Sequence, residues 1–187
     1  SLYGPFQRLR KRQSLSRGIV GMTIAHIGVG VFAIGVTVTQ TYRIEKDIAL
    51  RPGETVEMQG YTFAFNSTRP VKGPNFDAIE SEVTITRDGK LVTTLHPQKR
   101  VYRVQRSPMT EAGIHVKWNR DLFVAMGEDL GDGAWSVRLQ YKPMVRYIWL
   151  GALIMAIGGI VAVTDRRYRT RRVAEHAAVP GARPARA

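Results

Sequence analysis

The chain has 187 residues, no cysteine and a formal net charge of +13, which is room for one ordinary domain plus anchors. Without a thiol it can carry neither a disulfide nor a cysteine-based metal or redox site. The charge is not spread evenly. Residues 1–17 hold five Lys/Arg and no acid, residues 144–187 hold eight against Asp165 and Glu175, and residues 41–142 are nearly balanced at fifteen to thirteen. Basic flanks of this kind, beside apolar runs and without interleaved aromatics, read as cytoplasmic membrane flanks rather than as a nucleic-acid surface.

The first residue is Ser and the chain starts abruptly in the basic segment 1–17, which we read as cytoplasmic and as part of a longer or split polypeptide. An uncharged apolar run of 21 residues follows, Gly18 to Val38. As a helix it is about 31 Å long, enough to cross the hydrocarbon core of a bilayer. It is longer than the apolar core of a signal peptide and lacks a small-residue cleavage site, so a transmembrane helix is expected over 18–40. His26 stands in its middle. Ionisable groups at that depth are costly and mark sites or pathways, and neutral imidazole is a good ligand for transition metals, haem iron included. Thr23, Gly30, Ala33 and Thr37 share its side of the helix and leave space for a flat macrocycle. A helix-packing histidine bonded to a neighbouring helix is the alternative, and the residues alone leave both open.

From residue 41 to 143 the pattern turns to alternation. Tyr61, Phe63 and Phe65 fall on one face of a strand. Arg51-Pro52-Gly53-Glu54 predicts a type II turn, and Asp88-Gly89 between Val83–Ile85 and Leu91–Thr93 predicts a hairpin. Further strands are expected at Val101–Gln105, Gly113–Trp118, Asp121–Met126 and Ala134–Tyr141. Asn66 to Asp77, with Pro70, Gly73 and Pro74, reads as a long loop and a functional surface. Short strands broken every few residues point to an antiparallel sandwich or barrel.

A second apolar run, Tyr147 to Val163, closes on Asp165-Arg166-Arg167. Arg146 can snorkel at its start and Tyr147 and Trp149 suit an interface, so a second transmembrane helix is expected over 144–164. Residues 165–187 form a basic cytoplasmic tail, disordered at its Ala/Pro/Arg-rich end. The expected fold is thus a membrane protein with two transmembrane helices flanking a periplasmic antiparallel β domain.

The other candidates carry less. His96 precedes Pro97 and reads as a turn residue. His115 alternates with Ile114 and Val116 and is expected on the solvated face beside Lys117, and His176 lies in the tail. Met109 stands without a clustered soft partner, and Asp121 and Glu111 have no spacing that suggests acid–base work. Gly158-Gly159 inside the second apolar run reads as close helix packing, not a phosphate loop. No complete catalytic site is visible.

Several segments share an order with one family. They include Ala25-His26-Ile27-Gly28, Leu95-His96-Pro97-Gln98-Lys99-Arg100, Met109-Thr110-Glu111-Ala112 and Arg120-Asp121-Leu122. Asp132-Gly133-Ala134-Trp135, Lys142-Pro143, Tyr147-Ile148-Trp149-Leu150-Gly151 and Asp165-Arg166-Arg167-Tyr168 complete the series. With these, residues 26–169 resemble the C-terminal part of the CcmF/NrfE-like family, membrane haem-lyase subunits of System I cytochrome c maturation. The resemblance implies a bacterial inner-membrane, multi-pass subunit that helps attach haem covalently to apocytochrome c. It implies a b-type haem held by two histidines on different helices and proposed to reduce the incoming haem, with His26 matching the more C-terminal of the two. No second histidine lies in either apolar run, so the opposite axial ligand is expected from outside this chain. The tryptophan-rich haem-handling segment belongs to the family's earlier part. The implied partners are that N-terminal part or its split subunit, a haem-carrying chaperone, and apocytochrome c with its thiol-handling subunit. The alternative is a membrane-anchored periplasmic binding module that docks apocytochrome or assembly factors while His26 only packs.

Overall fold

The computed structural model describes residues 16–104 and 106–165. The basic segment before Ser16, the tail after Asp165 and His176 lie outside the described residues. The chain divides into two compact units, one made of residues up to Ile34 and from Tyr147 onward, the other spanning residues 35–146.

The first unit holds the greater part of two helices, α1 (Arg17–Tyr42) and α2 (Val145–Val163), whose residues 35–42 and 145–146 belong to the second. Both are long and apolar enough to cross a membrane. Gly, Val and Thr are poor helix formers in water. In an apolar medium the helix is still forced, because it satisfies every backbone N–H and C=O within the segment. The first turn of α1 is capped twice: the Ser16 hydroxyl accepts from the Ile19 N–H at 3.4 Å, and the Asp165 carboxylate accepts from the Gly18 N–H at 2.8 Å. A carboxylate at the positive end of a helix is a stabilising arrangement.

The second unit is a β sandwich of ten antiparallel strands. These are β1 (Ile44–Leu50), β2 (Thr55–Met58), β3 (Tyr61–Lys72), β4 (Phe76–Arg87), β5 (Lys90–Leu95), β6 (Gln98–Tyr102), β7 (Pro108–Glu111), β8 (Gly113–Val116), β9 (Arg120–Gly131) and β10 (Ala134–Pro143). One sheet has the order β1-β10-β9-β8, the other β2-β3-β4-β6-β7. β5 and β6 share one flank of β4, β5 opposite residues 83–87 and β6 opposite residues 76–80. The inner faces meet in Leu50, Met58, Tyr61, Phe63, Phe65, Val83, Ile85, Leu95, Leu122, Val124, Val137 and Leu139. The aromatic alternation at 61, 63 and 65 is therefore the core stripe, with Phe63 and Phe65 fully buried. Both expected turns form. Glu54 N–H bonds Arg51 O with Gly53 at φ +92°, and Asp88 and Gly89 both take positive φ, as the primed hairpin turn requires. The Thr39 hydroxyl donates to Pro143 O at 2.8 Å, tying the last turns of α1 to the end of β10.

Two expectations are corrected. Asn66 to Asp77 is no long loop: β3 runs to Lys72 and β4 begins at Phe76, closed by Gly73 N–H to Phe76 O. The register slips between Phe65 and Ser67, so the alternation breaks there. β2 covers β3 only at residues 61–64, which leaves Pro70 on a sheet edge where its missing N–H is tolerated. The strand expected at Val101–Gln105 instead covers Gln98–Tyr102, and Gln105 lies outside the described residues. Its polar residues are held by backbone pairing to β4 on one side and β7 on the other.

Removing the ring of Phe63 deletes the centre of this core. Phe63→Ala should destabilise the β unit by about 3–5 kcal/mol, measured as the urea unfolding midpoint of the detergent-solubilised full chain. A loss below about 1 kcal/mol would contradict the packing described.

Candidate functional site

α1 and α2 meet through small residues. A Cβ added at Gly28 would come within 2.6 Å of Met155 N, and one at Gly151 within 2.5 Å of Phe32 N. Gly21 faces Ala162, and Gly158 faces Ala25, just as closely. The backbones therefore touch, as small-residue seams in apolar helices allow. Gly158 is the glycine that makes the contact; Gly159 points into open space.

That seam fixes which side of α1 is left bare. Met22, His26, Gly30, Ala33 and Thr37 are all exposed, and a Cβ at Gly30 would meet nothing within 4 Å. His26 Nδ1 lies 2.8 Å from Met22 O. A carbonyl can only accept, so Nδ1 carries the proton, and in the neutral ring Nε2 presents its lone pair away from its own backbone. This is the outer-shell arrangement that orients metal-ligating histidines. Thr23 does not contribute a free hydroxyl to the face, since its Oγ1 donates to Ile19 O at 2.9 Å. One oriented imidazole nitrogen beside open space at Gly30 is a donor arrangement that could hold a metal macrocycle. Among the described residues no cluster of three or more His, Cys, Asp or Glu could hold a metal ion.

The other histidines are not brought to this face. His96 is exposed between β5 and β6, in the β unit. Beside it, Glu80 accepts from Arg69 Nη2 at 2.6 Å, Arg69 Nε at 2.9 Å and Gln98 Nε2 at 2.5 Å. These bonds, Arg69 first, hold the Glu80 carboxyl below its ordinary value. The Gln98-Lys99-Arg100 segment thus serves cohesion: Arg100 pairs with Glu111 and covers the Phe76 ring, and Lys99 pairs with Glu128. Met109 lies exposed on β7, and Asp121 keeps one buried oxygen without a partner.

His115 is the correction. The alternation suggested a solvated side chain, yet His115 is opposite Leu122 in register and is half-buried, while Ile114 and Val116 are exposed. Its phase is set by β9, where Leu122 and Val124 point into the core. Burial first, then Arg120 and Lys117, push its pKa below the ordinary value. Sequence reading also misses Arg120. It sits in phase with Leu122 and Val124 and is 5% exposed, and that phase is the signal that could have found it.

Fold and site together define a chain with an antiparallel β sandwich and two apolar helices, one of which carries a single oriented histidine. A family model described as CcmF C-terminal beta-sandwich matches residues 41–143. The Cytochrome c-type biogenesis proteins CcmF of Pseudomonas aeruginosa and Escherichia coli are 48% identical over 159 residues and 44% identical over 151. Those matches cover 85% and 81% of this chain but 24% and 23% of the relatives. The protein NrfE of Haemophilus influenzae is 32% identical over 149 residues, 80% of this chain and 24% of that relative. A solved structure of Cytochrome c Heme Lyase CcmF shares the fold, with a TM-score of 0.66 and 23% identity over 79% of this chain and 25% of that one. The chain belongs to the CcmF family and spans about a quarter of the length of these relatives.

The shift at His115 has a consequence for pH. The unfolded chain takes up a proton near pH 6.5, the folded one only at lower pH. Stability is therefore fully present above the unfolded value, falls as pH drops through it, and levels off below the folded-state pKa. Thermal midpoints of the full chain from about pH 8 to about pH 5 should decline less steeply in His115→Gln than in the unaltered chain. Parallel curves would contradict the assignment.

Proposed function

We propose that this chain is the C-terminal portion, or a split subunit, of a cytochrome c haem lyase, and that His26 is one axial ligand of a b-type haem in the membrane. The observation that carries this is the state of His26: Nδ1 is committed to Met22 O, and Nε2 is offered on a face that α2 does not cover. An imidazole facing lipid would be costly; an iron atom bonded to Nε2 removes that cost. A haem bound there would supply a one-electron redox centre. This chain's own part is to orient one nitrogen, keep the strip at Gly30, Ala33 and Thr37 free of bulk, and hold the helix rigid against α2.

The opposite axial ligand, the substrate-haem platform and the remaining helices then come from the rest of the lyase. The family resemblance and the relatives' biogenesis names support that division, as does the short share of those relatives that this chain spans. The orientation follows from charge: basic flanks at residues 8–17 and 166–172 in the cytoplasm, residues 41–143 in the periplasm of a bacterial inner membrane. There the β unit would face the haem-carrying chaperone and apocytochrome c with its thiol-handling subunit.

Two experiments test this reading. In the complex assembled with its N-terminal partner, His26→Ala should shift the optical spectrum toward high spin. It should also cut haem retention by more than the roughly tenfold that loss of an outer-shell partner costs. Chain abundance should stay near normal, and His96→Ala and His115→Ala should leave the spectrum unchanged. A low-spin spectrum identical to the unaltered complex would return His26 to a packing role. Separately, reporter fusions at residue 90 should be active on the periplasmic side and fusions after residue 172 on the cytoplasmic side; the reverse pattern would overturn the orientation.

A further inference from the structure

One end of the β unit is where the chain arrives from α1 and leaves toward α2. Strand register brings other segments to the same end. Arg120 pairs with Pro143, Asp121 with Val116, and Arg87 reaches Tyr61. Basic residues stand at these positions: Arg87 is the register partner of Lys90, Lys142 is that of Asp121, and Arg43 directly precedes β1.

Arg120 is the centre of the group. Its side chain lies at the end of the core, 5% exposed. Its Nε donates to the Tyr61 hydroxyl oxygen at 2.8 Å, and its guanidinium stands 4.6 Å from the Tyr61 ring centroid. Its Nη1 is buried with no hydrogen-bond partner, and no ion pair to a carboxylate forms among the described residues. Arg87 donates to the same phenol oxygen at 3.0 Å, and its own acid, Asp88, is a distant 3.7 Å away. A ring nitrogen of His115, Nε2, is also buried without a partner. Arg120 thus keeps its positive charge and an unused donor in a nearly dry place, beside a second, exposed guanidinium on the same oxygen. Such a charge is costly unless a counter-charge completes it.

A cavity of about 390 Å³ adjoins the group. Val38, Tyr42, Ile44, Tyr141, Pro143 and Met144 line it. Tyr141 links it to the cations, its ring 6.4 Å from that of Tyr61, and Pro143 is the strand partner of Arg120. Val38, Ile44, Pro143 and Met144 give the cavity an apolar part, Thr41 and Gln59 a polar one, and its two tyrosines are of the kind that sit at membrane–water interfaces. A small soluble anion has no use for that apolar part. An anion carrying an apolar body at bilayer depth does.

We propose that this end of the β unit binds the phosphate of an anionic phospholipid, with Arg120 and Arg87 as its cationic partners and the adjoining cavity taking the upper acyl and glycerol portion. The proposal rests on α1 and α2 spanning a membrane, but not on the haem reading. Guanidinium–phosphate contacts are charge-assisted and often bidentate, and a bound headgroup would fix the β unit against the bilayer surface.

The test is native mass spectrometry of the detergent-purified, delipidated full chain with added phosphatidylglycerol or phosphatidylcholine. The unaltered chain should retain phosphatidylglycerol in preference to phosphatidylcholine. Arg87→Gln and Arg120→Gln should each lower phosphatidylglycerol retention roughly tenfold, the loss expected for one charge-assisted contact, with phosphatidylcholine unchanged. Arg87 is half-exposed, so its variant keeps the test valid should Arg120→Gln unfold, which circular dichroism reports. Equal retention of the two lipids, no loss in Arg87→Gln, or complete displacement by inorganic phosphate would overturn the proposal. The last result would make the site one for soluble anions. Because lipid retention is read without haem, failure here is distinct from failure of the axial-ligand reading.

Discussion

The close approach of α1 and α2 is the constraint on which the rest depends. Gly21, Gly28, Gly151 and Gly158 bring two backbones into contact. Once that seam is set, the helical period leaves Met22, His26, Gly30, Ala33 and Thr37 on the bare side. On that side the His26 ring leans on its own preceding turn, where Met22 O accepts a hydrogen bond from Nδ1–H. A bulky residue in the seam would rotate or separate the helices. The side of α1 on which the candidate ligand stands is thus decided by residues that have no chemistry of their own.

The β unit follows a different logic. Its stability comes from two inner faces filled by Phe63, Phe65, Ile85, Leu122, Val124 and Leu139, and its exposed ion pairs add little. The polar groups that stand out are those placed at the end of the core rather than on its surface. Glu80 is satisfied three times over, whereas Arg120 and His115 keep unpaired nitrogens. That contrast separates a network that holds the fold from one left open to a ligand.

Much of this is legible in the sequence, for reasons that can be named. The uncharged run around His26 is long and the aromatic alternation at 61–65 is strict, so the long apolar helix and the core stripe can be read directly. The Asp88-Gly89 turn is readable because its backbone needs positive φ at both positions. The segment from Asn66 to Lys72 is not, since proline and a register slip disguise an edge strand as a loop. The facing of Ile114, His115 and Val116 is likewise hidden. Alternation gives a phase only up to inversion, and on this sheet edge the pairing of His115 with Leu122 settles it against hydrophobicity. The helix seam is half legible: Gly158 and Gly159 look alike in sequence, and only the packing tells which one touches α1.

The central claim is that Nε2 of His26 is bonded to haem iron. The most direct measurement labels histidine with the heavy nitrogen isotope in this chain alone, assembles it with an unlabelled N-terminal partner, and records pulsed electron paramagnetic resonance of the low-spin ferric haem. The account predicts one axial nitrogen with the heavy isotope's hyperfine coupling and one without, and loss of the labelled coupling in His26→Ala. Two unlabelled axial nitrogens would contradict it.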